Sequence, residues 1–263
     1  MVDRVITQPH LLTVSPGPRT GQVLIPSSKS QLHRLLILAS LGERPVKIFC
    51  RGIPDDIRAT AACLNALGAT IAFRGDGTAD TVTVDPLDRS FCADGAVLDC
   101  GGSGSTLRFL LPIAGMLGAS CLFLRGGRLP ERPLAPYDAQ LQAHGMRISG
   151  EGSHLTVSGR LGGGEFVLPG NISSQYVSGL LMALGGLSGQ SRLRVEGKME
   201  SSRYVEMTEA ALTLAGIRFA REQSGMEDDL RTVWTIDGGQ TYALPQQIRA
   251  EGDWSSATFF LCM

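Results

Sequence analysis

The stretch Ser28-Lys29-Ser30-Gln31-Leu32-His33-Arg34-Leu35-Leu36-Ile37-Leu38-Ala39 decides the fold, because its pattern recurs. A short cluster of hydroxyl residues opens a run that is apolar nearly all round, as in a helix buried on every side. The pattern returns at Ser103-Gly104-Ser105-Thr106, which opens Leu107 to Leu117, and at Ser173-Ser174-Gln175, which opens Tyr176 to Leu187. Some forty residues after each cluster comes a glycine before an apolar residue: Leu67-Gly68-Ala69, His144-Gly145-Met146 and Ala215-Gly216-Ile217. The separations from Ser30 to Gly68, Thr106 to Gly145 and Ser174 to Gly216 are 38, 39 and 42 residues, and such agreement points to a threefold internal repeat.

Each of those glycines ends a predicted amphipathic helix, where a left-handed residue commonly closes the last turn. Short alternating strands follow them at Thr70-Ile71-Ala72-Phe73, Arg147-Ile148-Ser149 and Arg218-Phe219-Ala220. Further strands are predicted at Val46-Lys47-Ile48-Phe49, Cys121-Leu122-Phe123-Leu124 and Arg192-Leu193-Arg194-Val195. Each unit thus holds one apolar helix and one helix that is polar on one side, as Asp56-Ile57-Arg58-Ala59-Thr60 shows. This predicts an α/β or α+β domain with mixed sheets, three buried helices at its centre and sheets outside. Pro112 falls inside the second buried helix and is expected to kink it. A fourth landmark, Ser255-Ser256 before Ala257-Thr258-Phe259-Phe260-Leu261, reads as an uncapped helix that starts a fourth unit, with the chain truncated there.

Composition excludes several classes. A net charge of −1 over 263 residues gives no global basic field for nucleic acid. No stretch reaches the roughly 18 uninterrupted apolar residues of a membrane helix, and Met1-Val2-Asp3-Arg4 predicts no secretory signal. The six cysteines (Cys50, Cys63, Cys92, Cys100, Cys121 and Cys262) form no C-x-x-C pair and sit mostly in apolar runs. They predict a reducing cytoplasm with neither a disulfide framework nor a zinc site. His10, His33, His144 and His154 make no H-E-x-x-H arrangement.

The hydroxyl clusters sit where helices begin. Serine is a good N-cap, and capping alone would account for any single cluster. Free N–H groups and the positive end of the helix dipole also favour an anion at that place. Cations stand beside the clusters: Lys29, Arg34 one turn beyond Ser30, and Arg108 two residues beyond Thr106. Arg128 and Arg132 bracket Leu129-Pro130-Glu131, either as forks for carboxylate or phosphate or as a solvated loop with a Glu131 ion pair. Gly101-Gly102-Ser103-Gly104-Ser105 lacks the second glycine of a nucleophile elbow and the Gly-Lys of a P-loop. Asp55-Asp56 reads as a helix N-cap rather than a metal site.

Six segments together resemble one family, the 3-phosphoshikimate 1-carboxyvinyltransferases (EPSP synthases). Pro26-Ser27-Ser28-Lys29-Ser30-Gln31-Leu32-His33-Arg34 resembles its P-G-S-K-S-x-x-x-R segment, and Ser103-Gly104-Ser105-Thr106-Leu107-Arg108 its N-(A/S)-G-T-x-x-R segment. Arg128-Leu129-Pro130-Glu131-Arg132-Pro133 is similar to R-M-x-x-R-P, Ser173-Ser174-Gln175 to S-S-Q, and Ser201-Ser202-Arg203-Tyr204 to S-x-P-Y. Glu251-Gly252-Asp253-Trp254-Ser255-Ser256-Ala257 is similar to E-G-D-x-S-S-A. The matches run in family order across essentially the whole chain.

The resemblance implies transfer of the enolpyruvyl group of phosphoenolpyruvate to the 5-hydroxyl of shikimate 3-phosphate, with release of phosphate. It implies no metal or organic cofactor and an intact enzyme that is a monomer. Lys29, as catalytic residue, with Gly104, Arg128 and Gln175 would line the phosphoenolpyruvate site. Ser30, Arg34 and Tyr204 would hold the shikimate ring and its carboxylate. Ser173, Ser174 and Ser201 would bind the 3-phosphate, with Gln175 against the ring and Arg108 supporting the glycine-rich loop. The implied fold is an inverted α/β barrel-like domain of three βαβαββ repeats with buried parallel helices. Residues 23–247 would form that domain, while 1–22 and 248–263 would belong to a second half. A chain with one whole half should bind but not turn over. Ser27, Gly102, Ser105 and Arg203 depart from the family's glycine, asparagine, threonine and proline, and the first three bear on phosphoenolpyruvate and glyphosate affinity.

Two other enzymes share this architecture. UDP-N-acetylglucosamine 1-carboxyvinyltransferases usually show S-G-A-K-N at the first motif and a cysteine in a mobile loop, and Gly126-Gly127-Arg128 has none. RNA 3′-phosphate cyclases lack Ser-Ser-Gln together with Lys-Ser-x-x-x-Arg. A non-catalytic ligand-binding or scaffold protein using the same domain is the reading of another class.

Overall fold

A computed structural model describes residues 17, 20–89, 94–226 and 229–262. The expectation for residues 1–22 therefore lies outside the described residues except at Gly17, Thr20, Gly21 and Gln22, and Cys92 lies outside them altogether.

The repeat takes the predicted form. The first unit contains α1 (Lys29–Ser40), β1 (Val46–Cys50), α2 (Asp55–Ala66), β2 (Thr70–Arg74) and β3 (Asp80–Asp85). The second contains β4 (Ala96–Asp99), α3 (Gly104–Leu117), β5 (Cys121–Leu124), α4 (Tyr137–Ala143), β6 (Arg147–Ser149) and β7 (His154–Ser158). The third contains β8 (Glu165–Pro169), α5 (Ser174–Leu184), β9 (Gln190–Glu196), α6 (Ser202–Leu214), β10 (Ala220–Ser224) and β11 (Arg231–Asp237). Then come β12 (Gln247–Arg249) and α7 (Trp254–Leu261).

Three four-stranded sheets share one topology: β4-β5-β7-β6, β8-β9-β11-β10 and β12-β1-β3-β2. In each, the first two strands are parallel and the rest antiparallel. Among the described residues, no strand of the first unit precedes α1. β12 fills that place, pairing Lys47 with Gln247 and Phe49 with Arg249. The expected domain boundary at 247 thus runs through a strand of the first sheet. Beyond β12 the outgoing chain lies against the incoming one: Ser28 N–H donates to Glu251 O at 2.8 Å and Asp253 N–H to Pro26 O at 2.8 Å.

Burial follows chemistry. Strands alternate, so Val46 and Ile48, or Leu193 and Val195, face inward while their neighbours face solvent. α1, α3 and α5 are sequestered over almost their whole lengths, each buried leucine contributing about 1.5–3 kcal/mol. α2 buries only one stripe, Ile57, Thr60, Ala61, Cys63 and Leu64. The helix-ending glycines Gly68, Gly145 and Gly216 all have positive φ, as their position requires. The strand predicted from Arg218 starts instead at Ala220, because Arg218 N–H donates to Gln240 Oε1 at 2.8 Å.

α3 runs through Pro112 as one helix. Proline has no N–H for the carbonyl of Arg108, four residues earlier. The buried hydroxyl of Tyr137 supplies the missing donor at 2.9 Å. Gly179 of α5 makes room for this arrangement, since a Cβ there would lie 2.5 Å from Arg108 O and 2.7 Å from Tyr137 Oη. α7 corrects the expectation of an uncapped helix, because Asp253 caps it by accepting from Ser255 N–H at 2.9 Å. Its Trp254, Phe260 and Leu261 are exposed, and with Val23 and Ile25 they flank an apolar hollow. Cys50, Cys63, Cys100 and Cys121 are buried free thiols, and Cys262 is exposed.

Candidate active site

Hydrogen bonds tie the starts of five helices into one face. Ser28, Ser103 and Ser173 cap α1, α3 and α5 as the sequence predicts, accepting from Gln31, Thr106 and Gln175 N–H. Thr106 Oγ1 meets Ser103 Oγ at 2.7 Å and Thr60 Oγ1 at 2.7 Å, and Thr60 meets His33 Nδ1 at 2.8 Å. This buried chain links α3, α2 and α1. Burial lowers the pKa of His33 to about 3, so the ring is neutral.

Lys29 opens α1 and its ammonium lies 2.7 Å from Asp56 Oδ2. Asp56 is therefore an ion-pair partner, which corrects its reading as a cap: Pro54 holds the cap position and both aspartates lie in the first turn of α2. Thr106 Oγ1 also donates to Asp56 O at 3.3 Å, so the partner of Lys29 is anchored to α3.

Arg34 is buried, with its guanidinium over Phe109 at 5.1 Å. Nε donates to Thr208 Oγ1 at 2.7 Å, Nη1 to Ser30 O at 2.6 Å, and Nη2 to Tyr204 O at 2.8 Å and Ser178 Oγ at 3.1 Å. Desolvation lowers its pKa to about 10, which keeps it charged at neutral pH. Four of five donors are engaged, so Arg34 ties α1 to α5 and α6 and keeps little capacity for a ligand.

At the start of α5, Gln175 Nε2 donates to Ser105 Oγ at 2.9 Å, and Arg108 Nη1 donates to Gln175 Oε1 at 3.0 Å. Arg108 is buried over the Tyr176 ring at 5.4 Å, and Tyr176 stacks on Tyr137 at 4.6 Å. Arg108 thus holds Gln175 and lies against Gly104 of the glycine-rich loop. A Cβ on Gly104 would lie 2.4 Å from Arg108 Nη1, 3.3 Å from Arg132 Nη1 and 3.5 Å from Gln175 Oε1. The structure therefore brings Arg132 to Gly104 and Gln175. Arg128 is exposed and paired with Glu131 at 3.4 Å, the solvated alternative for that residue. Spacing alone could not choose between the two arginines.

Ser173 and Ser174 start α5 beside Gln175, and Ser201 starts α6 beside Tyr204, whose N–H donates to Ser201 O at 3.0 Å. Ser201 has φ 58° and caps nothing with its side chain; among the described residues it alone has positive φ without being glycine. Such strain, on the order of 1–3 kcal/mol, concentrates at functional sites. Ser27 is buried, with its hydroxyl accepting from Arg51 N–H at 2.9 Å. Arg203 is exposed and pairs with Glu206 at 2.9 Å. Sequence reasoning missed Ser178 and Thr208; Thr208 was within reach, being one turn beyond Tyr204 on the same face.

Among the described residues, no carboxylate pairs with Arg34, Arg108 or Arg132. Arg108 and Arg132 thus stand near helix N-termini without a carboxylate partner, an arrangement that favours an anion.

Comparison with known proteins accords with this geometry. Residues 14–263 match the family model described as EPSP synthase (3-phosphoshikimate 1-carboxyvinyltransferase). The chain is 35% identical over 255 residues to the 3-phosphoshikimate 1-carboxyvinyltransferase of Clostridium beijerinckii, covering 95% of this chain and 57% of that protein. It is 36% identical over 250 residues to that of Clostridium botulinum strain Alaska E43, covering 94% and 56%. It thus spans little more than half the length of these relatives. Its fold is like that of the EPSP synthase of Acinetobacter baumannii, with a TM-score of 0.73 at 22% identity over 92% of this chain and 52% of the other. The chain belongs to the EPSP synthase family.

Proposed function

We propose that this chain carries the shikimate 3-phosphate side of a 3-phosphoshikimate 1-carboxyvinyltransferase active site. The observation behind this reading is the gathering of Lys29, Arg108 and Arg132 near the starts of α1, α3 and α5, where Asp56 pairs with Lys29 and, among the described residues, no carboxylate pairs with the two arginines. Ser173, Ser174 and Ser201 take the 3-phosphate; Ser30, Arg34 and Tyr204 approach the ring and its carboxylate. Lys29, Gly104 and Gln175 face phosphoenolpyruvate. The guanidinium on that side is assigned to Arg132 in place of Arg128, because Arg132 is the one beside Gly104. The ring 5-hydroxyl adds to the activated double bond, and phosphate leaves from the tetrahedral adduct. Positioning and electrostatics carry most of the rate. Residues 23–249, with the boundary moved past β12, act as the substrate-binding half, and 1–22 and 250–263 belong to the other; the setting is the cytoplasm and the whole enzyme is a monomer. Among the described residues no helix is long and apolar enough to cross a membrane.

Calorimetry tests the reading. The chain should bind shikimate 3-phosphate saturably, and Ser173→Ala should weaken binding roughly tenfold, since a charge-assisted hydrogen bond contributes about 1.5–3 kcal/mol. Preference for a UDP-sugar would favour the amino-sugar enzyme. Indifference to both ligands would leave the scaffold reading.

A further inference from the structure

We propose that Ser105 and Arg108 are positioning residues that lock the carboxamide of Gln175 in one orientation, keeping its nitrogen on the α3 side where an anionic ligand can use its second N–H. The proposal rests on the substrate reading above.

Arginine carries only donors, so the group facing Arg108 Nη1 at 3.0 Å must be the Gln175 oxygen. A flipped amide would set donor against donor. Ser105 Oγ then takes one Nε2–H at 2.9 Å. The second Nε2–H remains for a ligand at the start of α3, the end of the helix that favours negative charge.

α3 and its neighbours are shaped around this contact. Pro112 withholds its N–H from Arg108 O, Tyr137 Oη donates there instead at 2.9 Å, and Tyr137 stacks on Tyr176, over which the Arg108 guanidinium lies. Gly104 leaves the guanidinium its space. Arg108 Nε is buried without a partner. An arginine serving only to join helices would be saturated, as Arg34 nearly is; Arg108 is directed at Gln175. Glutamine has among the largest rotamer freedoms of any side chain, and freezing it before binding removes that cost from the binding step.

The experiment uses the whole chain. Side-chain amide spectra of Gln175, assigned by loss of the signal in Gln175→Ala, are recorded without ligand, and shikimate 3-phosphate affinity is measured by calorimetry. In Ser105→Ala one Nε2–H loses its acceptor while Arg108 still holds the oxygen, so that amide proton should move toward the shift and solvent-exchange rate of an unbonded amide N–H. Affinity should fall about three- to tenfold, with the thermal midpoint held. Ser105→Thr keeps the hydroxyl and should restore both readouts. Unchanged Gln175 shifts in Ser105→Ala would overturn the proposal. So would equal losses of affinity and midpoint in both Ser105 variants, which would make the contact merely structural. If the wild-type chain ignores shikimate 3-phosphate while the amide responds as stated, the lock stands and the substrate reading fails.

Discussion

Replacing Gly104 by alanine tests the site with a single methyl group. The backbone accepts the change, since Gly104 does not have positive φ, and it is the first residue of α3. The new Cβ would stand 2.4 Å from Arg108 Nη1. An ordinary contact needs about 3.4 Å or more, so the guanidinium must withdraw by about 1 Å. That movement breaks the 3.0 Å bond to Gln175. Buried hydrogen bonds to charged groups contribute about 1.5–3 kcal/mol, and alanine's better helix propensity returns less than about 1 kcal/mol. Urea unfolding should therefore show a net loss of about 1–2 kcal/mol, and calorimetry a roughly tenfold loss of shikimate 3-phosphate affinity. Gly102→Ala is the control: a Cβ there meets nothing within 4 Å, so stability and affinity should stay within about 0.5 kcal/mol of wild type. Wild-type affinity in Gly104→Ala, or equal effects of the two substitutions, would refute the reasoning.

Two further outcomes follow from buried groups. Tyr137→Phe strips the side-chain donor to Arg108 O and should cost about 1–3 kcal/mol; in a Pro112→Ala background, where residue 112 regains its N–H, the same change should cost clearly less, a coupling that a double-mutant cycle in urea would read. His33 has its pKa lowered to about 3 by burial, against about 6.5 unfolded. Below pH 6.5 the unfolded chain takes up a proton that the folded one refuses, so stability falls with pH down to about 3. From pH 6.5 to pH 5 this amounts to about 2 kcal/mol. Unfolding free energies at the two pH values, compared with those of His33→Asn, should show that share of the slope vanish in the variant.

The sequence alone determined the repeat. Hydrophobic period, helix-ending glycines and hydroxyl clusters are local signals, so the three buried helices and most strands stand within a residue or two of their predicted places. It also marked Lys29, because helix starts and adjacent cations can be read from short spacings, whereas Gly104 and Gln175 were marked by the family resemblance of their segments. Tertiary structure decided what depends on distant partners. β12 completes the first sheet from some two hundred residues away, and no local pattern records a parallel pairing of that reach. Asp56 looked like a cap until Lys29 was placed beside it, and the carbonyl that Pro112 leaves without its helix donor takes one from Tyr137 of α4. Arg128 and Arg132 are chemically identical and four residues apart. Both are exposed, and only the course of their loop turns one toward Glu131 and the other toward Gly104, since a side chain's reach is set by where its backbone is held.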